Sequence, residues 1–290
     1  MIKNKFHHVI VVVASLLFPL NFFAQNVNYS SAHFGPNALP VPPLGKAIIS
    51  EETTVQLIGN HYFGFGDVTS SLGLDIEIPL LPKFVSVKIW YSGIEVYKVT
   101  QEIYDFRNMQ GGELSGKAWG EFYVQTRISL LKERQFAPAI LLNSTLKTAA
   151  GTKFEQRRHF DTPGYYFDLE FGKSFRLDNK ILNEVRMVAN IGFLCWETAG
   201  STQNDAPMYG GKLILANDFL DFENTLSGYY GWVNNGDAPL VYFSKLIFKQ
   251  PKFNVFTMFQ YGIKDFPYYG ISVGVSSTFS KLTPRYTKFN

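Results

Sequence analysis

The sequence predicts an all-β fold, a transmembrane up-and-down antiparallel β-barrel of about 12 strands. Three observations predict it. Aromatic residues make up 16% of the 290 residues while charged residues make up only 18%. Beyond the N-terminal region, no apolar stretch is long enough for a helical span. From residue 51 onward, apolar side chains recur at every second position. A barrel reconciles the three, because it shows apolar side chains to lipid at alternate positions only.

The N-terminal region carries a targeting signal. Lys3 and Lys5 make a positive start, Val9 to Phe23 is almost wholly apolar, and Ala24 is a small residue suited to cleavage. Residues 1–24 are therefore expected to be a cleaved signal peptide and the outer membrane the destination. Residues 25–50 form a second segment, punctuated by Gly35, Pro36, Pro40, Pro42, Pro43 and Gly45. Such a density opposes both helix and central strand. Two readings stand for it, a periplasmic tail and a plug folded into the barrel. The barrel is expected over 51–280, with a short tail at 281–290.

The strands justify themselves by period. Leu72, Leu74, Ile76, Ile78 and Leu80 alternate with Ser71, Gly73, Asp75, Glu77 and Pro79; Phe122, Val124, Thr126, Ile128 and Leu130 alternate with Tyr123, Gln125, Arg127 and Ser129. Tyr165, Phe167, Leu169 and Phe171 do so with Tyr166, Asp168 and Glu170, and Ile271, Val273 and Val275 with Ser272, Gly274 and Ser276. Alternate side chains face opposite sides of a strand, so each run has one apolar and one polar or small face. Strands are expected at 52–65, 69–80, 84–98, 117–131, 136–148, 164–176, 182–197, 207–216, 220–232, 238–249, 253–264 and 268–279. Many of these runs exceed the five or six residues of an average soluble strand. Short turns alternate with mostly longer polar loops, the outer-membrane pattern in which the short side is periplasmic. Phe279 is the candidate last-strand aromatic for the barrel-assembly machinery, and membrane lipid is the expected surrounding.

The Leu146–Gly151 and Phe160–Asp168 stretches, with Gln203-Asn204-Asp205-Ala206 before Tyr209-Gly210, resemble an uncharacterised outer-membrane barrel family of Bacteroidota. More distantly the layout resembles the transporter-like barrels of the phenol-degradation meta-pathway. The resemblance implies a pore or uptake role and supplies no catalytic residues.

Inward parity gathers mixed charge. Asp75, Glu77, Glu121, Asp168, Glu170, Glu184 and Glu223 share it with Lys88, Arg127, Lys147, Arg176, Arg186, Lys212 and Lys245. These are pore-lining candidates, because side chains lining a pore set its barrier; the alternative is an ion-pair network filling a narrow barrel. The balanced signs predict weak selectivity. Arg157, Arg158 and His159, in the loop near Asp161, are candidates for contact with anionic lipid headgroups, since Arg offers a planar fork to phosphate; a solvated loop is the alternative.

Other classes find less support. The whole chain is +3, with no basic face for nucleic acid. Cys195 stands alone, so no intrachain disulfide forms. A barrel lipase needs a nucleophilic Ser beside a His base; none of His33, His61 and His159 has Ser two residues on. No CxxC, HExxH or Gly-rich phosphate loop occurs, and no cofactor or metal is expected. The leading reading is a passive outer-membrane channel for small polar or amphipathic solutes. A structural or interaction barrel with a filled lumen is second, and a lipid-modifying enzyme third.

The targeting signal makes the first prediction. The protein recovered from the outer-membrane fraction should lack about 24 N-terminal residues. N-terminal sequencing that still reads Met1, or recovery in the cytosol, contradicts it.

Overall fold

Closure of one sheet on itself organises the computed structural model, which describes residues 28–179, 181–197 and 203–284. The signal peptide read at 1–24 lies outside the described residues, as do 25–27, 180, 198–202 and the tail after 284.

The strands are β1 (Thr53–Phe63), β2 (Asp67–Leu81), β3 (Val85–Val99), β4 (Ser115–Trp119), β5 (Phe122–Leu131), β6 (Ala139–Lys147) and β7 (Gly164–Arg176). They continue with β8 (Glu184–Glu197), β9 (Gln203–Ala216), β10 (Leu220–Tyr229), β11 (Leu240–Lys249), β12 (Asn254–Lys264) and β13 (Tyr269–Phe279). Each pairs antiparallel with its neighbours, and β1 pairs both β2 and β13, which closes the barrel. β4 pairs the far half of β3 and β5 the other half, so the two fill one place in the wall. The wall therefore has 12 positions. Apart from β4, which pairs β3 alone, every strand is paired on both sides and satisfies its backbone groups across the sheet.

The single run read at 117–131 is interrupted at Gly120-Glu121, opposite a bulge at Ser92-Gly93. Gly93 has φ +95°, and a Cβ there would lie 1.8 Å from the Leu72 carbonyl oxygen. Only glycine fits that backbone. Gln203 to Ala206, read as loop, belong to β9. A short helix, α1 (Gln101–Phe106), caps the loop between β3 and β4; Thr100 accepts from Ile103 N–H as its N-cap.

The apolar face of each strand points outward. Leu72, Ile191, Met187, Val273 and Leu146 are among the most exposed residues of the wall, while their neighbours Ser71, Asn190, Ser272 and Lys147 are buried. An apolar outer band with a polar interior is the arrangement that a bilayer-spanning barrel requires. One end of the barrel carries Thr53, Phe279 and the short turns, such as 82–84 and 217–219; it is called the near end here. The far end carries the long connections 100–114 and 148–163.

Residues 28–50 run through the interior from the far end to the near end. Proline explains why they stay out of the wall: Pro36, Pro40, Pro42 and Pro43 have no N–H for a ladder. Their apolar neighbours pack inside. Phe34 and Leu39 join Phe160, Tyr166, Trp196, Tyr229 and Tyr268 in an aromatic cluster in the far half. Leu44, Ala47 and Ile49 pack on Ala139, Leu141 and Val188 toward the near end. The segment thus lies against the β6–β9 side of the lumen.

Val273 stands at the middle of β13, 58% exposed. Val273→Arg should lower barrel stability by roughly 2–4 kcal/mol, the cost of arginine on a lipid face near the midplane. Val273→Leu should be silent. The check is the temperature at which folded, fast-migrating protein disappears in detergent gels; equal midpoints for Arg and Leu would show that the face assignment is wrong.

Candidate functional site

The inward charges fall into three groups. The first seals the far end. Arg158 is fully buried and all three guanidinium nitrogens are engaged: Nε donates to Glu95 at 2.6 Å, Nη1 to Asp67 at 2.8 Å and Nη2 to Thr69 at 2.6 Å. Arg107, just after α1, donates to Asp67 at 2.6 Å and to the Tyr268 hydroxyl at 2.5 Å. His159 Nδ1 lies 2.9 Å from Glu121 and Nε2 3.3 Å from Glu95. Lys147 reaches Glu121 at 3.4 Å and donates to the Thr162 carbonyl at 2.8 Å. The N-terminal segment joins this knot: Asn37 donates to Glu95 at 2.7 Å, Arg107 Nε donates to the Ala32 carbonyl at 3.1 Å, and the Tyr268 hydroxyl donates to that of Phe34.

Local backbone makes the knot possible. Lys153 and Arg157 adopt left-handed conformations, φ +65° and +56°, on either side of the one-turn helix Phe154–Gln156. They turn the 148–163 loop back into the barrel. Gly35 leaves the space that the Arg158 guanidinium occupies, since an added Cβ would sit 2.5 Å from Cζ.

The expected lipid-headgroup contact at Arg157, Arg158 and His159 is therefore corrected. All three are buried, and Arg157 donates from Nε to the Arg107 carbonyl at 3.1 Å. Their donors face acids and carbonyls within the protein, which leaves no fork for an external phosphate. Burial would lower the pKa of Arg158, but Glu95 and Asp67 outweigh it and hold the group charged. Burial likewise opposes protonation of His159, and the charges of Glu95 and Glu121 reverse the sign, raising its pKa to about 9.

The second group holds the N-terminal segment. Glu170 accepts from the N–H groups of Gly45 at 2.7 Å and Ala47 at 3.0 Å. Arg186 donates to the carbonyls of Lys46 at 2.8 Å and Ala47 at 3.2 Å. Lys212 donates to the Leu44 carbonyl at 2.5 Å. Asp168 lies beneath, accepting from Asn143 at 3.2 Å and Asn190 at 3.1 Å. At the near rim, Glu184 accepts from Ser174 at 2.7 Å, and Arg176 ends β7 exposed to solvent.

The third group lines a cavity. It occupies about 860 Å³ between the N-terminal segment and the β1–β3 and β10–β13 side of the wall. Its floor reaches exposed Ile48 and Thr278 at the near end, and its roof is formed by Pro36, Asn37 and Phe266 beneath the far-end knot. Of the expected pore-lining residues, Asp75, Glu77, Lys88, Arg127, Lys212, Glu223 and Lys245 line it. Asp75 pairs with Lys88 at 2.7 Å and Glu77 with Arg127 at 2.9 Å. Glu121 and Lys147 instead seal the far end. Asp168, Glu170 and Arg186 lie under the N-terminal segment, while Arg176 and Glu184 sit at the rim. Parity identifies an inward side chain but says nothing of what covers it.

Several site residues escaped the sequence reading. Glu95 has inward parity between outward Ile94 and Val96, a signal that was there to be read. Lys249 and Asp221 share parity with Lys245 and Glu223 in the same way. Lys46 and Arg107 belong to irregular segments, where no period marks a face. His61 is exposed near the far end of β1, with Nδ1 2.9 Å from Ser70 Oγ and its ring packed near Phe63. Among the described residues no cluster of His, Cys, Asp and Glu is arranged to hold a metal.

Among the comparisons with known proteins, the solved structures bear on the fold. No protein-family model matches the chain, and the search of curated proteins finds no match. Among solved structures, an outer membrane channel from Pseudomonas putida F1 superposes with a TM-score of 0.53 over 83% of this chain and 100% of its own, at 10% identity. The transport unit of the autotransporter AIDA-I from Escherichia coli superposes with a TM-score of 0.50 over 84% of this chain and 94% of its own, at 6% identity. Both likenesses are of fold. The architecture is that of outer-membrane β-barrels.

The far-end knot gives a pH prediction. A histidine whose folded pKa is raised contributes stability that is complete below about 6.5 and lost as pH rises through about 9. Between pH 6 and pH 10 the barrel should lose up to about 3 kcal/mol through this group. His159→Gln should flatten that part of the profile. Thermal midpoints measured across the range check it; parallel profiles for the two proteins would contradict it.

Proposed function

We propose that the protein is an outer-membrane channel for passive passage of small polar or amphipathic solutes, closed in this conformation. The observation that carries the reading is the cavity. A barrel filled for structural purposes alone has no need of about 860 Å³ beside its internal segment, lined by both charged and aromatic side chains. Even wall number puts both barrel ends on one side with the short turns, which supports a periplasmic near end. The resemblance of the sequence to a Bacteroidota barrel family, and more distantly to the phenol-pathway barrels, favours the same class.

Passage requires two elements to move. The N-terminal segment narrows the lumen, and the Arg158 knot closes it toward the cell exterior. The segment is held by side chains at both ends, among them Glu95, Arg107, Glu170, Arg186 and Lys212, and by apolar packing, rather than by a ladder. Its release therefore leaves the wall intact. The geometry gives no support to lipid hydrolysis: His61 and its Ser70 partner lie at the rim, but no acid is bonded to the ring to orient it among the described contacts.

A filled barrel is the second reading, and the buried far-end knot is what favours it. Planar-bilayer conductance separates the two. The full chain should conduct weakly, and deletion of residues 28–50 should raise conductance while heat-modifiable migration persists. Two non-conducting proteins would remove the channel reading and leave the filled barrel.

A further inference from the structure

The cavity carries a charge pattern that pairing within the protein does not satisfy. Four lysines, Lys46, Lys212, Lys245 and Lys249, converge on two carboxylates, Asp221 and Glu223. Glu223 is held by Lys46 at 2.6 Å, with Lys212 at 3.7 Å. Asp221 is held by Lys249 at 2.7 Å, with Lys46 at 3.6 Å. Lys245 stands directly opposite Glu223 in the β10–β11 register, yet among the described residues no carboxylate lies within ion-pair distance of it. Its ammonium instead rests 3.9 Å above the Phe256 ring. Across the whole cavity, six basic residues face four acidic ones. Elsewhere on its wall the charges are matched, as in the Asp75–Lys88 pair, so the excess is concentrated around Lys245.

The surroundings of Lys245 define what a counter-charge must look like. Along β11 its inward neighbours are Phe243 and Ile247. Across β12 it faces Met258, with Phe256 below. The adjoining β13 turns the small residues Gly270, Ser272, Gly274, Ser276 and Thr278 inward, and the Phe256 ring lies over Gly274, where an added Cβ would sit 2.2 Å from its Cζ. A sheltered cation beside apolar walls is unfavourable until an anion joins it. A compact, strongly hydrated anion would lose its water against phenylalanine and methionine. An acid group on an apolar body satisfies both sides, with the charge at the ammonium and the body on the aromatic wall. The volume is within the usual range of small-molecule sites.

We infer that Lys245, flanked by Lys212 and Lys46, anchors the acid group of an amphipathic organic monoanion whose apolar body lies on Phe243 and Met258, which unlike the buried Phe256 keep part of their surface exposed. The inference rests on the reading of the cavity as solute space and names the class of solute. It replaces the weak selectivity that balanced charge along the sequence had suggested with a preference for anions.

The test is binding, so it does not depend on whether the barrel conducts. The full-length protein in a non-ionic detergent is titrated calorimetrically with phenylacetate, phenylacetamide, phenethylammonium and inorganic phosphate. Phenylacetate should bind at least about tenfold more tightly than the other three, the scale of one hydrogen bond to a charged group. Lys245→Met should cut phenylacetate affinity by about tenfold or more and leave phenylacetamide unchanged; Lys245→Arg should restore the preference. Heat-modifiable migration of each variant confirms an intact wall. Equal binding of phenylacetate and phenylacetamide overturns the inference, as does unaltered phenylacetate binding by Lys245→Met. Phosphate binding as tight as phenylacetate overturns the apolar half of it, and absence of binding by every probe overturns the whole. None of these outcomes bears on conductance, so the channel reading stands or falls separately.

Discussion

A closed sheet with a polar inner face must satisfy that face from within, and the rest of this structure depends on that constraint. The wall itself is self-sufficient, because every strand but the short β4 is paired on both sides. Its inward charges are not. Buried charges are tolerated only when paired or hydrogen-bonded, and the wall cannot pair all of them across a lumen of 12 positions. The proline-rich segment resolves this from the opposite direction: it has free backbone groups and no ladder to join. Glu170 meets its N–H groups and Arg186 and Lys212 meet its carbonyls. Two sets of unsatisfied groups, distant in sequence, are complementary in space.

The same constraint shapes the far end. The 148–163 loop carries Arg157, Arg158 and His159, three groups that would be well solvated outside the barrel. They fold inward where Asp67, Glu95 and Glu121 face the lumen, and Arg158 and His159 pair with these acids. Arg158 then brings Tyr97 beneath its guanidinium at 4.5 Å, and the aromatic cluster around Phe34 and Phe160 closes over the rest. The outcome is a lid built from charge and aromatic packing together. Beneath it the small inward face of β13 leaves a cavity, and the lysines around Glu223 and Asp221 give that cavity its sign.

How much of this was legible in the sequence follows from which signals are local. Period two is local, so the strands emerge within a few residues of their ends: 84–98 against Val85–Val99, and 164–176 against Gly164–Arg176. The break at Gly120-Glu121 was not legible, because a single glycine inside an alternating run does not by itself mark an interruption. Inward parity picks out Asp75, Glu77, Lys88 and Lys245, which border the cavity, but it cannot separate them from Glu170 and Arg186, which the N-terminal segment covers. The 157–159 cluster misled for a related reason. A charged loop looks solvated in sequence, and only the three-dimensional position of Glu95 and Glu121 draws it in.

The central claim is that the segment is bound in the lumen by side chains of the wall. Residue-resolved hydrogen exchange at the Gly45 and Ala47 amides tests it most directly, since both are assigned to Glu170. The account predicts that they exchange far more slowly than an unstructured chain, and that Glu170→Ala returns them toward the unstructured rate while the β7 amides stay protected. Exchange of Gly45 and Ala47 at the unstructured rate in the unaltered protein would contradict it.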